Sequence, residues 1–467
     1  MNKTCEYFEK ILSIPRPSGN EKKIADFLCD FAKENNLEYY TDDYFNVIIK
    51  KTNHSENTII LQCHTDMVCV DDVGVNKDFD NEGIDWYIDG DYYKSKETTL
   101  GADNGIGIAM ILSLFKENNN NFPNIEAIFT TQEETTMLGA TNLDYSKLNG
   151  KTLISLDGIK EGDLEVSSAG MCNIELKKLL KEVPIPAYAN AYEIEIDYLL
   201  GGHSGDDIHK NRINAIHLLS QILKELEVIG IVDIKAGQKN NVIPNSARCK
   251  FLTLLDEKQV NNICKQYREL TEENDNHPQI YIKSFVNLAE AYDATETINL
   301  ITNFKHGMIT NTDDGFPILS ENMGVIEKNM RELKVLLSVR SSSIEQEETQ
   351  LKEIENLAKQ NNFKYILELK KPFFPYRENS KLRETLTKTY KELFNKEVSI
   401  KRVHACMEGG IFSKNIKDLD ICTISPNVYD IHTTQERISI SSINRVYDWL
   451  LKTLIELNKN DWFLLKL

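Results

Sequence analysis

Residues 57–66 read NTIILQCHTD, an apolar run that gives way to a polar turn and ends in a histidine and an aspartate two positions apart. Short runs rich in β-branched residues and bounded by polar turns read as strands. The same texture recurs at NVIIKK (46–51), NIEAIFTTQEE (124–134) and KTLISLDG (151–158), while NGIGIAMILSLFKE (104–117) reads as a helix. Upstream, residues 3–13 and 20–35 read as amphipathic helices, with Ser18 and Glu21 at capping-box spacing before the second. The alternation predicts an α/β fold with a mostly parallel sheet flanked by helices. Ligands of such sheets sit beyond the carboxyl ends of the strands. This chain puts His64 and Asp66, Glu133 and Glu134, and Asp157 at those ends.

The length of 467 residues accommodates two domains. Lys and Arg total 54 against 72 Asp and Glu, a net charge of -18, which argues against a nucleic-acid surface or an anionic membrane and favours small molecules or cations as partners. Nine cysteines, an odd number with no C-x-x-C pair, argue against a disulfide framework and a thiolate zinc site. They read as reduced thiols. The charged N-terminus has no apolar signal core, and no run approaches the roughly 18 apolar residues of a membrane span, so a cytoplasmic location is expected.

From about residue 183 the texture changes. VPIPAYANAYEIEIDYLLGGHSG (183–205) opens new strands, the helix RINAIHLLSQILKELE (212–227) follows, and LKVLLSVRSS with IEQEETQLKEIENLAKQ repeats the order of strand and helix. Residues 183–374 are therefore expected to form an inserted α+β lid domain of two βαβ-like halves, with the catalytic domain in two parts, 1–182 and 375–467.

His64, Asp103, Glu134 and Asp157 fall at consecutive element ends of the first α/β unit, Asp103 just before a helix whose N-terminus favours a carboxylate. Carboxylates packed that closely repel one another, and a bound dication resolves the repulsion. Nitrogen and oxygen ligands without thiolate suit zinc, with cobalt or manganese as alternatives. Asp71 and Asp72, just beyond Asp66, read as solvated loop residues, and His404, His209 and His217 as structural.

Six motifs, CHTDMV, LGADNGIGIA, TTQEETTMLGA, LISLDG, GGHSGDDIHKNRINA and YDIHTTQERISI, occur in this order across nearly the whole chain. Together they resemble the bacterial aminoacyl-histidine dipeptidases, a family of co-catalytic dizinc exopeptidases related to aminoacylases and zinc carboxypeptidases. The resemblance implies that Asp103 bridges two divalent ions, with His64 and Asp157 completing one and Glu134 and His432 the other. It implies that Glu133 is the general base for a water shared by the metals. Asp66 then accepts the second imidazole N–H of His64 and fixes its tautomer. His203 is implied as the oxyanion donor, in its own subunit or across a homodimer formed through the inserted domain. Arg340 is implied as a bidentate clamp for the substrate carboxylate, aided by Asn241. The turn Glu408, Gly409, Gly410 offers backbone amides for an anionic group. The sequence departs from the family at Gly158 and Ile159 after Asp157, at Thr434 after His432 and at the EGG turn.

The implied activity is hydrolysis of short unblocked peptides, Xaa-His dipeptides among them. An N-acyl amino acid deacylase or a carboxypeptidase of the same superfamily would share the metals and differ in the pocket. An inactive, metal-stabilised binding protein is the reading from another class. The presence of all five ligands together with Asp66 and Glu133 argues against it.

Overall fold

The computed structural model describes residues 3–272, 279–286 and 290–459. Two compact units divide the chain. The first takes the described residues up to Ser168, Phe374–Arg402 and those from Glu408 on; the second takes Ala169–Phe373 and Val403–Met407. The second unit starts earlier than residue 183, because Gly170–Leu179 is a strand paired with Glu332–Ser341 and Lys364–Lys371. It also recovers a short return segment, where the carbonyls of Val403 and Ala405 both accept from the Ala169 N–H.

The first unit holds an eight-stranded sheet in the order Glu38–Thr41, Val47–Lys51, Asn124–Thr130, Thr58–His64, Thr152–Ser155, Asp420–Thr423, Asp163–Ser168, Ser399–Val403. The four strands from Asn124–Thr130 to Asp420–Thr423 run parallel. Pairings that bring in Glu38–Thr41, Val47–Lys51 and Asp163–Ser168 are antiparallel. The expected α/β sheet is thus present, parallel at its centre and antiparallel at its margins. Thr58–His64 has a parallel neighbour on each side and is buried from Ile59 to His64, which explains its unbroken apolar run. In the helix Ala102–Phe115 every residue but Asp103 is buried, so the segment is apolar all round rather than amphipathic. The backbone at Asp103 and Asn104 is non-helical, and the regular turns begin only after them. The last helix, Ile440–Leu457, packs on Lys381–Phe394 through Trp449, whose indole N–H donates to the Leu386 carbonyl at 3.0 Å.

The capping box foreseen at Ser18 and Glu21 does not form. The helix Lys22–Glu34 has no side-chain cap. Glu21 accepts from the Gly19 and Gln132 N–H groups, and the Ser18 hydroxyl makes a charge-assisted bond to the Asp66 carboxylate at 2.7 Å. All nine cysteines are free thiols. Among the described residues no helix is long and apolar enough to cross a membrane.

The second unit carries its own sheet, in the order Gln279–Ser284, Asn190–Asp197, Ala247–Thr253, Gly230–Ala236, Pro317–Asn329, Glu332–Ser341, Gly170–Leu179, Lys364–Lys371. These neighbours pair antiparallel. Two halves are evident, each a β-α-β-β-α-β unit with its first strand between its third and fourth. One half spans residues 190–284 and is nested between the first strand, Gly170–Leu179, and the first helix, Thr295–Asn303, of the other. The halves join through their second strands, Lys235 opposite Glu327 and Ala236 opposite Ile326. Two halves were expected, but as βαβ units. The crossover strands are not neighbours here, so the sheet is antiparallel throughout these pairings.

Glu321, on Pro317–Asn329, is fully buried in this sheet. One carboxyl oxygen accepts from the Gln350 amide at 2.6 Å and the other has no hydrogen-bond partner among the described residues. Burial pushes its pKa from 4.5 up to about 8. The folded state therefore holds a proton that the unfolded chain releases, so this group's contribution to stability falls as pH rises through that interval. Denaturant unfolding should show wild type losing on the order of 2 to 4 kcal/mol between pH 5 and pH 8 that the variant Glu321→Gln retains. Parallel pH profiles for the two proteins would refute this.

Candidate metal centre

The acids and histidines of the first unit converge at the carboxyl edge of its parallel strands. His64 ends Thr58–His64, Glu133 and Glu134 follow Asn124–Thr130, Asp157 follows Thr152–Ser155, and Asp103 stands at the break that starts Ala102–Phe115. His432 comes from the loop between Val428–Tyr429 and Arg437–Ser439, two strands of a small four-stranded sheet in the same unit. That loop is fixed from several sides. Arg437 stacks over Tyr429 and Tyr92 and pairs with Asp430, and the Thr434 hydroxyl donates to Asp72 at 2.6 Å. Asp72, an exposed loop residue as expected, thus also tethers the His432 loop. Asp71 also has a partner, accepting from the Lys77 N–H.

Asp103 faces both histidines. Its Oδ1 lies 3.1 Å from His64 Nε2 and its Oδ2 lies 3.4 Å from His432 Nε2. His64 Nε2 is also 3.2 Å from Asp157 Oδ1, and His432 Nε2 is 2.9 Å from Glu134 Oε1. Two groups of potential ligands result, His64 with Asp103 and Asp157, and Asp103 with Glu134 and His432; within each, the ligand atoms lie within 4.8 Å of one another. Around a tetrahedral ion with bonds of about 2.0–2.1 Å, neighbouring ligand atoms stand roughly 3.3 Å apart. The observed separations match such an edge, so the residues fit two metal ions sharing one carboxylate. A third grouping, His64 with Glu133 and Glu134, also meets the criterion.

Electrostatics agree with that fit. Burial would push His64 toward neutrality, but Asp157, Asp103 and Asp66 outweigh it and hold the imidazole well above its ordinary pKa. Hydrogen bonds that His432 donates to Asp103 and Glu134 push its pKa up to about 10. Burial opposes the ionisation of Asp103, yet the two histidines keep it low. Burial, and then Asp157, drives Glu133 well above the usual carboxyl range. The cluster thus draws positive charge, which a dication supplies.

Asp66 does two things. Its backbone carbonyl and its Oδ1 face His64 Nδ1 at 3.1 and 3.4 Å, and its carboxylate accepts from the backbone N–H groups of Glu133 and Glu134 as well as from Ser18. The side chain that orients one ligand therefore also anchors the segment carrying the other two acids. Asn104 donates to Asp157 at 2.6 Å. Neither Ser18 nor Asn104 figured among the expected site residues. Both are polar neighbours of a motif with no spacing signal of their own.

The other expected residues divide between the units. Glu408 lies in the first, fully buried, its Oε2 accepting from Gln62 and Thr130 at 2.8 and 2.7 Å. Gly409 and Gly410 are buried in the first turn of the helix Glu408–Asn415, and a Cβ on Gly409 would touch Phe374 and Ile421. The EGG stretch is therefore a packed helix start and not an open turn. His203, Asn241 and Arg340 belong to the second unit. There His203 Nδ1 lies 3.0 Å from Asp206, and the Asn241 carbonyl accepts from the Ser204 N–H. Arg340 is buried on Glu332–Ser341; burial lowers its pKa, which Cys406 and Asp206 oppose, and its Nε has no acceptor among the described residues. His404 is buried, bonded to Ser320 at 2.7 Å, and its pKa is pushed down to about 3 by burial and by Arg340.

Comparison with known proteins points the same way. Residues 61–456 match the family model described as Peptidase family M20/M25/M40. The cytosol non-specific dipeptidase of Escherichia coli is 29% identical over 470 residues, covering 97% of this chain and 97% of that protein. The aminoacylhistidine dipeptidase of Vibrio alginolyticus has a similar structure, with TM-score 0.87 and 26% identity over 97% of this chain and 96% of that one. A tripeptidase of Staphylococcus aureus, 14% identical with TM-score 0.58 over 98% of each chain, shares the fold.

Proposed function

We propose a dinuclear metallo-dipeptidase, because the chain belongs to the Peptidase family M20/M25/M40 and carries one carboxylate, Asp103, turned toward both histidines of the site. The chain is a peptidase. The finer reading is that His64 and Asp157 hold one ion, Glu134 and His432 the other, and Asp103 both, with zinc favoured and cobalt or manganese as alternatives. Bound there, such ions would acidify a water and polarise a carbonyl. Glu133 takes the proton of the attacking water and hands it to the leaving amine. Asp66 holds the His64 ring and the Glu133 backbone in place.

Arg340 is our candidate for reading the carboxylate of the substrate, and His203 for the developing oxyanion. An unfilled guanidinium donor on a buried arginine supports the first assignment. The name of the Escherichia coli relative supports a cytoplasmic location, and both relatives support dipeptides as substrates, Xaa-His among them.

A panel of dipeptides varied at the C-terminal residue, with tripeptides and N-acyl amino acids beside them, tests this reading. Dipeptides should be turned over best; preference for N-acyl amino acids would make the enzyme a deacylase. In the same panel Arg340→Lys should lose about 1.5–3 kcal/mol in kcat/KM for free dipeptides, the range for hydrogen bonds to a charged group, with metal content unchanged. C-terminal amides should be affected far less. Equal losses on both would remove Arg340 from the role.

A further inference from the structure

Two buried charges outside the ligand set hold the backbone on which the ligands stand. Glu436, 2% exposed, accepts four successive backbone N–H groups: Leu100 and Gly101 at 2.8 and 2.9 Å on Oε2, Ala102 and Asp103 at 2.8 and 3.3 Å on Oε1. A single carboxylate thus takes every amide of the segment that ends in the bridging aspartate. Arg16, 1% exposed, works on the carbonyl side. Its Nη1 donates to the carbonyls of Thr65 and Asp66 at 3.0 and 2.9 Å, and its Nη2 to that of Gly101. The guanidinium therefore ties the loop after His64 to the loop before Asp103.

The space for this tie is made by missing side chains. A Cβ on Gly101 or Gly105 would lie 2.6 or 2.7 Å from Arg16 Nη2, and Gly101 has φ +72, which favours glycine. Arg16 is itself held, since its carbonyl accepts from the Met67 N–H at 3.1 Å. Each of these bonds joins two protein groups. Asp66, Asp103, Glu133, Glu134 and Asp157 nevertheless crowd into one place, and their mutual repulsion would spread loops fixed only by their own turns.

We propose that Arg16 and Glu436 are positioning residues that clamp the loops of His64–Asp66 and Leu100–Asp103 in their ligand-ready form before any metal binds. This rests on reading the acidic cluster as a metal centre. Prior ordering of the loops removes their ordering entropy from the binding step, so the clamp raises metal affinity without touching metal. Glutamine cannot replace Glu436, because its NH2 group would face backbone N–H donors and offer them no lone pair. Lysine cannot replace Arg16, because a point charge does not reproduce a fork across three carbonyls.

Amide hydrogen exchange on the full-length chain, metal-free and zinc-loaded, tests the clamp without a mutation. The amides of Leu100 to Asp103 should be protected on the order of 10²-fold or more in both states. Exchange at the rate of an open loop until zinc is added would overturn the proposal, since the metal would then be organising the loop. Chelator competition on Glu436→Gln and Arg16→Lys should show zinc affinity about 10- to 100-fold weaker than wild type. Unchanged affinity in a folded variant also overturns it, and if neither variant folds, the exchange measurement decides. Wild type that binds no zinc would overturn the metal reading itself, whereas wild type that binds zinc no better than Glu436→Gln overturns only the clamp.

Discussion

Exchanging Glu133 for glutamine should lower kcat by on the order of 10²- to 10⁴-fold while metal content stays at its wild-type level. The substitution keeps the size of the side chain and removes its ability to accept a proton. The Glu133 backbone N–H is held by Asp66 at 3.0 Å whichever side chain follows. KM should change little, because a proton acceptor acts in the transition state and not in ground-state binding. The neighbouring exchange, Glu134→Gln, should behave differently. Glu134 stands 2.9 Å from His432 and belongs to the second ligand group, so its loss should appear first as reduced metal occupancy. Metal analysis beside steady-state kinetics separates the two variants. If Glu133→Gln loses metal and Glu134→Gln retains it, the roles of the two residues are exchanged.

Removing the metals should abolish turnover altogether and lower the thermal midpoint. Two ions per chain are expected, because His64, Asp103, Glu134, Asp157 and His432 exceed what one tetrahedral ion takes and divide into two groups through Asp103. Without them the carboxylates are left facing one another in a buried site, balanced only in part by the two histidines and Arg16. A ligand that binds only the folded state and is present at 100 times its Kd stabilises by about 2.7 kcal/mol, and two such ions act together. Chelation followed by elemental analysis, thermal scans and a dipeptide assay checks this, with zinc, cobalt and manganese returned one at a time. Full activity in a preparation shown to be metal-free would falsify the dinuclear reading.

Much of this arrangement was legible because it is written in strand ends. An apolar run that stops at His64, another that stops before Glu133 and a third before Asp157 give the sheet and the edge on which its chemistry lies. His432 was different, since nothing in the spacing of its loop marks a ligand and only the resemblance of the surrounding motif singled it out. Arg16, Glu436 and Asp72 were not legible at all. Each serves the site through backbone groups or a threonine hydroxyl far away in sequence, and a side chain that bonds to main chain leaves no pattern to read. Ser18 misled for a related reason: its spacing to Glu21 fits a helix cap, but a carboxylate 48 residues on takes the hydroxyl instead. The second unit was placed 14 residues late because Gly170–Leu179 alternates like any edge strand, and its partners lie far downstream in Glu332–Ser341 and Lys364–Lys371.

The strand Asp420–Thr423 lies between Thr152–Ser155 and Asp163–Ser168, in the middle of the first unit's sheet. A growing chain reaches it last. When the ribosome has made residue 168, the sheet has a gap at its centre that only residues more than 250 positions later can fill, on the order of ten seconds to a minute at ordinary rates of synthesis. The second unit, encoded in that interval, can complete its own sheet from continuous chain while the first waits with an open hydrogen-bonding edge. Synthesis therefore reverses the order of the sequence: the part translated in the middle finishes first, and the peptidase fold closes only when its C-terminal strand and helix arrive.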